Sequence, residues 1–191
     1  MGRLRSSSAD SAAARCEALC ATLQAEIPGF GILYKDESKL HRAIGAVLRP
    51  LNDRYLQDYT TVLFGKVAFP SRAWRARIGE AAVYEVLRHE AVHLRDARRF
   101  PLLFELSWLL LPLPTVLTLR AYWEWRGYAE SMRVRVELGE PVDDAWIDWV
   151  VARFTGPDYG YMWPFPAMLR RRFRALREAL YAELRSGADS A

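Results

Sequence analysis

The feature that most constrains the fold of this chain is the segment 79–98, which contains no proline and no glycine after its first residue. A His-Glu-x-x-His pattern at His89, Glu90 and His93 lies in its second half, behind a run of mainly apolar residues. On an α-helix, residues four apart are separated by about 40° of rotation, so both imidazoles project from one face. The segment therefore predicts a buried helix that carries two histidines side by side.

Two imidazoles in this arrangement suit a tetrahedral zinc ion, which binds histidine nitrogen at about 2.0–2.1 Å. Glu90 is turned by about 100° from His89, which places its carboxylate beside the metal rather than on it. There it can accept a proton from an activated water and pass it to a leaving group. Arg88 and Arg95 put positive charge close to the motif. The alternative interpretation is two partly buried histidines with Glu90 in a surface ion pair.

A third protein ligand is needed, because a catalytic zinc site usually has three such ligands and an open fourth position. The remaining histidine, His41, lies in an earlier predicted helix and is a poor candidate, so we expect a carboxylate. Glu124 is the preferred choice, since small residues on its helix face would let two helices approach closely. The residues that share this face are Ala121, Gly127, Tyr128 and Ser131. Tyr128 could donate a hydrogen bond to the ligand or face the substrate.

Glu130 is the main alternative to Glu124 as the third ligand. It lies about 240° around the helix from Glu124, so the two carboxylates cannot face the same ion. Asp96 and Glu105 stay open as further candidates.

A His-Glu-x-x-His pattern followed by a helix of the form Glu-x-x-Gly-Tyr resembles the gluzincin group of zinc metallopeptidases, over roughly Thr60 to Ser131. The resemblance implies the zinc ligands His89, His93 and Glu124, with Glu90 as general base. It also implies an edge strand ahead of the helix, along which an extended peptide pairs by strand addition. The run from Thr60 to Phe69 could supply that strand. Position 128 departs from the pattern, since many such proteins have an acidic or amide residue where this chain has Tyr128.

The predicted elements are mostly helices, with a small β-sheet ahead of the histidine helix, which indicates an α+β fold. We expect a disordered segment at 1–11, one zincin-like metallopeptidase domain over 12–186, and a tail at 187–191. The predicted helices span 12–27, 37–51, 79–98, 120–138, 144–154 and 167–185. The predicted strands span 30–34 and 59–70, the second being either one strand or two with a turn at Gly65.

The charge balance gives no reason to expect a nucleic-acid partner, because 27 basic and 23 acidic residues are mixed along the chain. The clearest basic cluster is predicted to be the solvated face of an amphipathic C-terminal helix: Arg170, Arg171, Arg172, Arg174 and Arg177. Cys16 and Cys20 are interpreted as small residues that face the core, since two cysteines make no disulfide framework. A reduced, cytoplasmic setting is therefore expected.

The segment 100–119 is strongly apolar and near the length of a membrane span. Glu105 interrupts it, and Pro112 and Pro114 break helical hydrogen bonding. A single crossing would also put Glu124 on the other side of the membrane from the histidines. Three interpretations stay open: a buried helix and loop, a peripheral membrane contact, and a homo-oligomer or partner surface.

These patterns predict a zinc-dependent hydrolase, in the first place a peptidase that acts on a peptide or protein substrate. The alternative is a zincin-like binding or regulatory module without catalytic activity, associated with a membrane. A third hypothesis is a helical interaction protein without a metal. Tyr128, Tyr159 and Tyr161 are candidates for the group that stabilises the oxyanion, and the aromatic loop 156–166 either borders the cleft or packs in the core.

Overall fold

The structure is a computed structural model, and it describes residues 2–50, 53–109, 114–157 and 161–188. The described chain is mostly helical with one small three-stranded sheet. The predicted α+β class is therefore confirmed. Of the sequence predictions, Tyr159, part of the apolar segment and most of the tail lie outside the described residues.

The chain forms two compact units, Met1–Leu102 and Leu103–Ala191. The single domain over 12–186 stays a prediction. The division falls inside the segment 100–119, which the sequence marks as an apolar insertion. We call Met1–Leu102 the first unit and Leu103–Ala191 the second. Each unit has its own buried apolar residues, and each is described by itself below.

Over its described residues, the first unit contains three helices and the sheet. Its elements are α1 (Gly2–Glu26), β1 (Gly31–Tyr34), α2 (Lys39–Leu48), β2 (Thr61–Leu63), β3 (Lys66–Phe69) and α3 (Arg72–Arg99). The strand order is β1-β3-β2, with β1 parallel and β2 antiparallel to the central β3. Helix α3 packs against α1 and against the sheet. The predicted strand at 30–34 is confirmed, and α1 begins at Gly2, so residues 2–11, predicted to be disordered, are helical.

The run predicted as one strand or two forms a hairpin of β2 and β3. Its turn residues Phe64 and Gly65 have φ values of 48° and 75°. Two successive residues with positive φ are typical of a type I′ turn, whose twist matches that of the two strands. The register pairs Thr61 with Ala68, which leaves β2 at one edge of the sheet.

Helix α3 is two helical segments joined by a kink at Gly79. Gly79 has φ 79° and ψ 161°, a combination that is essentially restricted to glycine because it has no Cβ. Ser71 caps the first segment by accepting a hydrogen bond from the Trp74 backbone N–H. The second segment carries the histidines, and its buried apolar face holds it against the unit's core: Val83, Tyr84, Leu87, Ala91 and Leu94.

Helices are the regular secondary structure of the second unit over its described residues. Its helices are α4 (Leu103–Leu109), α5 (Pro114–Glu137), α6 (Asp144–Thr155) and α7 (Pro166–Ala188). Asp143 caps α6, since its side chain accepts a hydrogen bond from the Trp146 backbone N–H at 2.8 Å. The core of this unit is built around Met132, Ile147, Val150, Phe154 and Phe173.

The basic cluster of α7 is largely used within the second unit. Arg170 pairs with Asp148 at 2.5 Å, and Arg174 and Arg177 both pair with Asp144 at 2.8 Å. The pairs are solvent-exposed, so each contributes little to stability. The prediction of a solvated helix face is confirmed, with the addition that acidic residues of α6 balance much of its charge.

The apolar segment 100–119 includes all of α4 and the beginning of α5. On α4, Phe104 is buried, whereas Leu103 and Leu106 are each 44% exposed. None of the helices in the described part of the chain is both long and apolar enough to cross a membrane.

Candidate metal centre

His89 and His93 lie side by side on the second segment of α3. Their Nε2 atoms are 3.0 Å apart, and the two rings meet edge to face with centroids 4.8 Å apart. His93 is buried and His89 is partly exposed. Both side chains therefore direct the same ring nitrogen to one point on the face of the helix, as the spacing predicts.

The separation of the two nitrogens fits a shared metal ion. Two ligands of a tetrahedral zinc ion, each at 2.0–2.1 Å, have their nitrogens about 3.3 Å apart. The 3.0 Å distance is within a few tenths of an ångström of that value. In a metal-free form the same pair makes a hydrogen bond, in which one imidazole N–H donates to the bare nitrogen of the other.

Glu90 follows His89 directly and is 6% exposed. A buried carboxylate is costly unless it has polar or charged neighbours. One such neighbour is Lys35. Burial lowers the pKa of this lysine, and the negative charge of Glu90 partly offsets that decrease. The alternative interpretation, in which Glu90 forms an ion pair at the surface, is therefore wrong about the location of this side chain.

Lys35 is the residue near the motif that the sequence analysis missed. It directly follows β1, is fully buried, and donates hydrogen bonds to the backbone carbonyls of Tyr55 at 2.8 Å and Tyr59 at 2.7 Å. Its ammonium also lies 3.9 Å from the centroid of the Tyr55 ring. Burial lowers its pKa to about 7. A signal was present, because one of only three lysines in the chain immediately follows an apolar strand.

His41, judged a poor ligand from the sequence, is engaged elsewhere in the first unit. Its Nδ1 lies 2.8 Å from the Tyr55 hydroxyl, and the imidazole stacks on the Tyr55 ring. The side chain is 2% exposed, and burial followed by the charge of Lys35 lowers its pKa. His41 and Lys35 thus belong to one buried polar cluster centred on Tyr55.

Glu124 lies on α5 of the second unit and is 3% exposed. The helix face predicted from the sequence is buried as a whole. Its members are Ala121, Glu124, Gly127, Tyr128 and Ser131. Tyr128 packs against Phe154 and meets the ring of Trp149 edge to face. The carboxylate therefore stands on the buried side of α5, next to an aromatic layer.

The other carboxylates proposed as third ligands have different surroundings. Glu130 is partly exposed and pairs with Arg133 at 3.9 Å. Glu105 is partly exposed in the first turn of α4, and Asp96 is buried on α3, one turn beyond the histidines. Glu124 is the buried carboxylate among the two candidates on α5.

The interpretation of the two cysteines as core-facing residues is confirmed for Cys16, whereas Cys20 is partly exposed. Both thiols are free, Cys16 is buried, and its Sγ donates a long hydrogen bond of 3.7 Å to the Glu80 carbonyl. Burial raises the pKa of Cys16 to about 11, so this thiol stays protonated at neutral pH.

Two of the three candidate phenols are described. Tyr128 is 7% exposed, whereas Tyr161 is 64% exposed and has φ 54°. Tyr128 is buried on the helix face that carries Glu124, so it is the better candidate of the two for an oxyanion donor. Its role as an oxyanion donor stays a prediction.

No protein-family model, no curated protein and no solved structure matches the chain.

Proposed function

We propose that this protein is a zinc-dependent hydrolase of the gluzincin type, with a zincin-like fold, that cleaves peptide bonds. His89, His93 and Glu124 bind the zinc ion, and Glu90 is the general base. The observation that carries the proposal is the pair of Nε2 atoms 3.0 Å apart, with Glu90 buried beside them.

The ligand set is supported by its chemistry. Two neutral imidazoles and one carboxylate are a usual donor set for catalytic zinc, and they leave a fourth position open. Among the histidine, cysteine and carboxylate side chains of the described residues, these three are grouped in a way that could hold a metal ion.

A bound zinc ion supplies a Lewis acid that lowers the pKa of a water molecule toward neutrality. Glu90 then accepts the proton as the water oxygen attacks the peptide carbonyl carbon. Glu90 next delivers this proton to the nitrogen of the leaving amine, so the carbon–nitrogen bond breaks and a carboxylic acid and an amine are released. The burial of Glu90 keeps bulk water away from the proton that it carries.

An extended peptide is the substrate that the sheet of the first unit favours. β2 forms an edge of the sheet, and the hairpin directly precedes α3. A peptide that pairs with an edge strand gains backbone hydrogen bonds, and side chains alternate between its two faces. We propose that the substrate backbone lies along β2 in this way.

The metal is tested first by elemental analysis of purified variants. Wild type is expected to contain about one zinc ion per chain, and His93→Ala and Glu124→Ala to lose most of it. Glu130→Ala is the matched control, because it removes a carboxylate of the same helix that pairs with Arg133. Loss of zinc from Glu130→Ala with retention in Glu124→Ala would reverse the choice of third ligand.

The activity is tested with Glu90→Gln, which keeps the shape of the side chain and removes its basicity. This variant is expected to retain zinc and to lose at least about a hundredfold in kcat/KM on a peptide library. Zinc in the wild type without cleavage of any peptide would instead support the binding or regulatory module. A wild type that contains no zinc after metal addition would reject both.

A further inference from the structure

Three segments meet at one end of the first unit. A Cβ built on Gly65 would lie 3.5 Å from the Pro28 carbonyl oxygen, which places the β2–β3 turn against the chain that follows α1. The end of α3 joins the same region, since Arg95 pairs with Glu26 at 2.9 Å and Arg98 donates to the Glu26 carbonyl. We call this region the basic–apolar end, and we define it by Phe64, Lys66, Arg98, Arg99, Phe100 and Leu102.

Large apolar side chains protrude from the basic–apolar end. Phe64 is 75% exposed, Leu102 is 72% exposed and Phe100 is 37% exposed. A soluble surface rarely presents several such side chains within one region without a binding role. The exposure is therefore unusual for a region that is otherwise well ordered by hydrogen bonds and ion pairs.

Two of these residues also have backbone conformations that apolar side chains seldom adopt. Phe64 has φ 48° and Leu102 has φ 67°. The first position of a type I′ turn favours asparagine, aspartate or glycine, and a bulky residue there is strained. Backbone strain at Phe64, whose side chain is mostly exposed, points to a function for this residue.

The positive charge around these side chains identifies the class of partner. The cavity between α1 and the end of α3 is lined by one carboxylate, that of Glu26, and by three positively charged side chains. The three are Arg95, Arg98 and Arg99. Arg99 lies with its guanidinium 5.4 Å from the centroid of the Phe100 ring. Aromatic and leucine side chains that protrude among arginines are typical of surfaces that bind anionic lipid headgroups and insert shallowly among acyl chains.

We propose that the basic–apolar end binds the surface of a membrane that contains anionic phospholipids. Phe64 and Leu102 insert at the level of the headgroups, and Arg98 and Arg99 contact lipid phosphates. This proposal is independent of the metal centre, since it involves none of the residues proposed to bind or use zinc.

The test is sedimentation of the full chain with vesicles of phosphatidylcholine alone, and with vesicles that also contain phosphatidylserine. Wild type is expected to bind the second kind of vesicle, and less as salt is raised. Phe64→Asn is expected to weaken binding about tenfold or more, because the variant lacks the phenyl ring that becomes buried on insertion into the membrane. Its thermal midpoint should not fall, because Asn-Gly is a preferred type I′ pair.

Two further variants make the test specific. Arg99→Gln should weaken binding to phosphatidylserine vesicles and flatten its salt dependence. Val47→Gln is the control, since Val47 on α2 is 77% exposed but lies outside the basic–apolar end. Equal binding of wild type and Phe64→Asn, or an equal loss in Val47→Gln, would overturn the proposal. So would a dimer in solution that Phe64→Asn dissociates, because the occupant would then be a second copy of the chain.

Discussion

Replacing the buried Lys35 by methionine provides a direct test of the polar cluster beside Glu90. Methionine keeps much of the length of the side chain but cannot carry a charge. The ammonium of Lys35 is fully buried, and burial lowers its pKa from 10.5 to about 7. The free energy of unfolding should therefore depend on pH through this one group.

The sign of this dependence follows from proton counting. Between pH 7 and pH 10.5, the unfolded chain holds a proton on Lys35 that the folded chain has partly released. Stability therefore rises with pH across this window, by at most about 1.4 kcal/mol per pH unit. Over the whole window the gain is at most about 5 kcal/mol. Below pH 7 both states are protonated and the contribution stays at its lowest level.

The assay is urea unfolding of wild type and Lys35→Met at intervals from pH 7 to pH 10. The difference between the two proteins is the quantity to follow, because the other titrating groups are common to both. The absolute stability of Lys35→Met also changes, since the carbonyls of Tyr55 and Tyr59 lose their donor. The slope with pH is therefore the informative result.

Lys39→Met serves as the matched control, because Lys39 is exposed at the start of α2. We expect its stability to follow pH in parallel with wild type. A Lys35→Met protein whose stability rises with pH as steeply as wild type would refute the reasoning, since the lysine would then not be the source of the dependence.

Three further outcomes are expected. Gly79→Ala should cost about 1–3 kcal/mol in urea unfolding, because a Cβ there meets no atom within 4 Å and the whole cost is backbone strain. Gly187→Ala in helical α7 should be neutral or stabilising, and equal effects of the two changes would contradict this account. Asp143→Ala should lower the free energy of unfolding by about 1 kcal/mol, and Asp143→Asn much less, because the amide oxygen still caps α6. Adding a chelator should lower the thermal midpoint of wild type but not of His93→Ala, and an equal fall in both would argue against a metal held by His93.

Local patterns predicted much of the fold because their physical causes are local. Asp143 marks the start of α6 because its side chain can cap the helix without any tertiary contact. Gly65 marks the hairpin because it accepts a positive φ at no steric cost. The 3.6-residue period likewise places His89 and His93 on one face of α3 before any packing is known.

Features that depend on distant parts of the chain could not be predicted in this way. The burial of Lys35 requires carbonyls from residues twenty or more positions later, and no short pattern encodes that meeting. The kink at Gly79 could not be predicted, because a glycine at the edge of a helical pattern is equally typical of an ordinary helix start. The division at Leu102 depends on which helices pack together, which an apolar run alone does not decide.

Because α3 is kinked at Gly79, the direction in which the two histidine side chains point is set by the helical segment after this glycine and not by the segment before it. One residue added between Arg72 and Ile78 would be absorbed at a joint where the backbone dihedral angles already depart from helical values. One residue added between Gly79 and His89 would turn both imidazoles by about 100° relative to the apolar face that anchors them. Length variation in α3 should therefore be tolerated on one side of this glycine and not on the other.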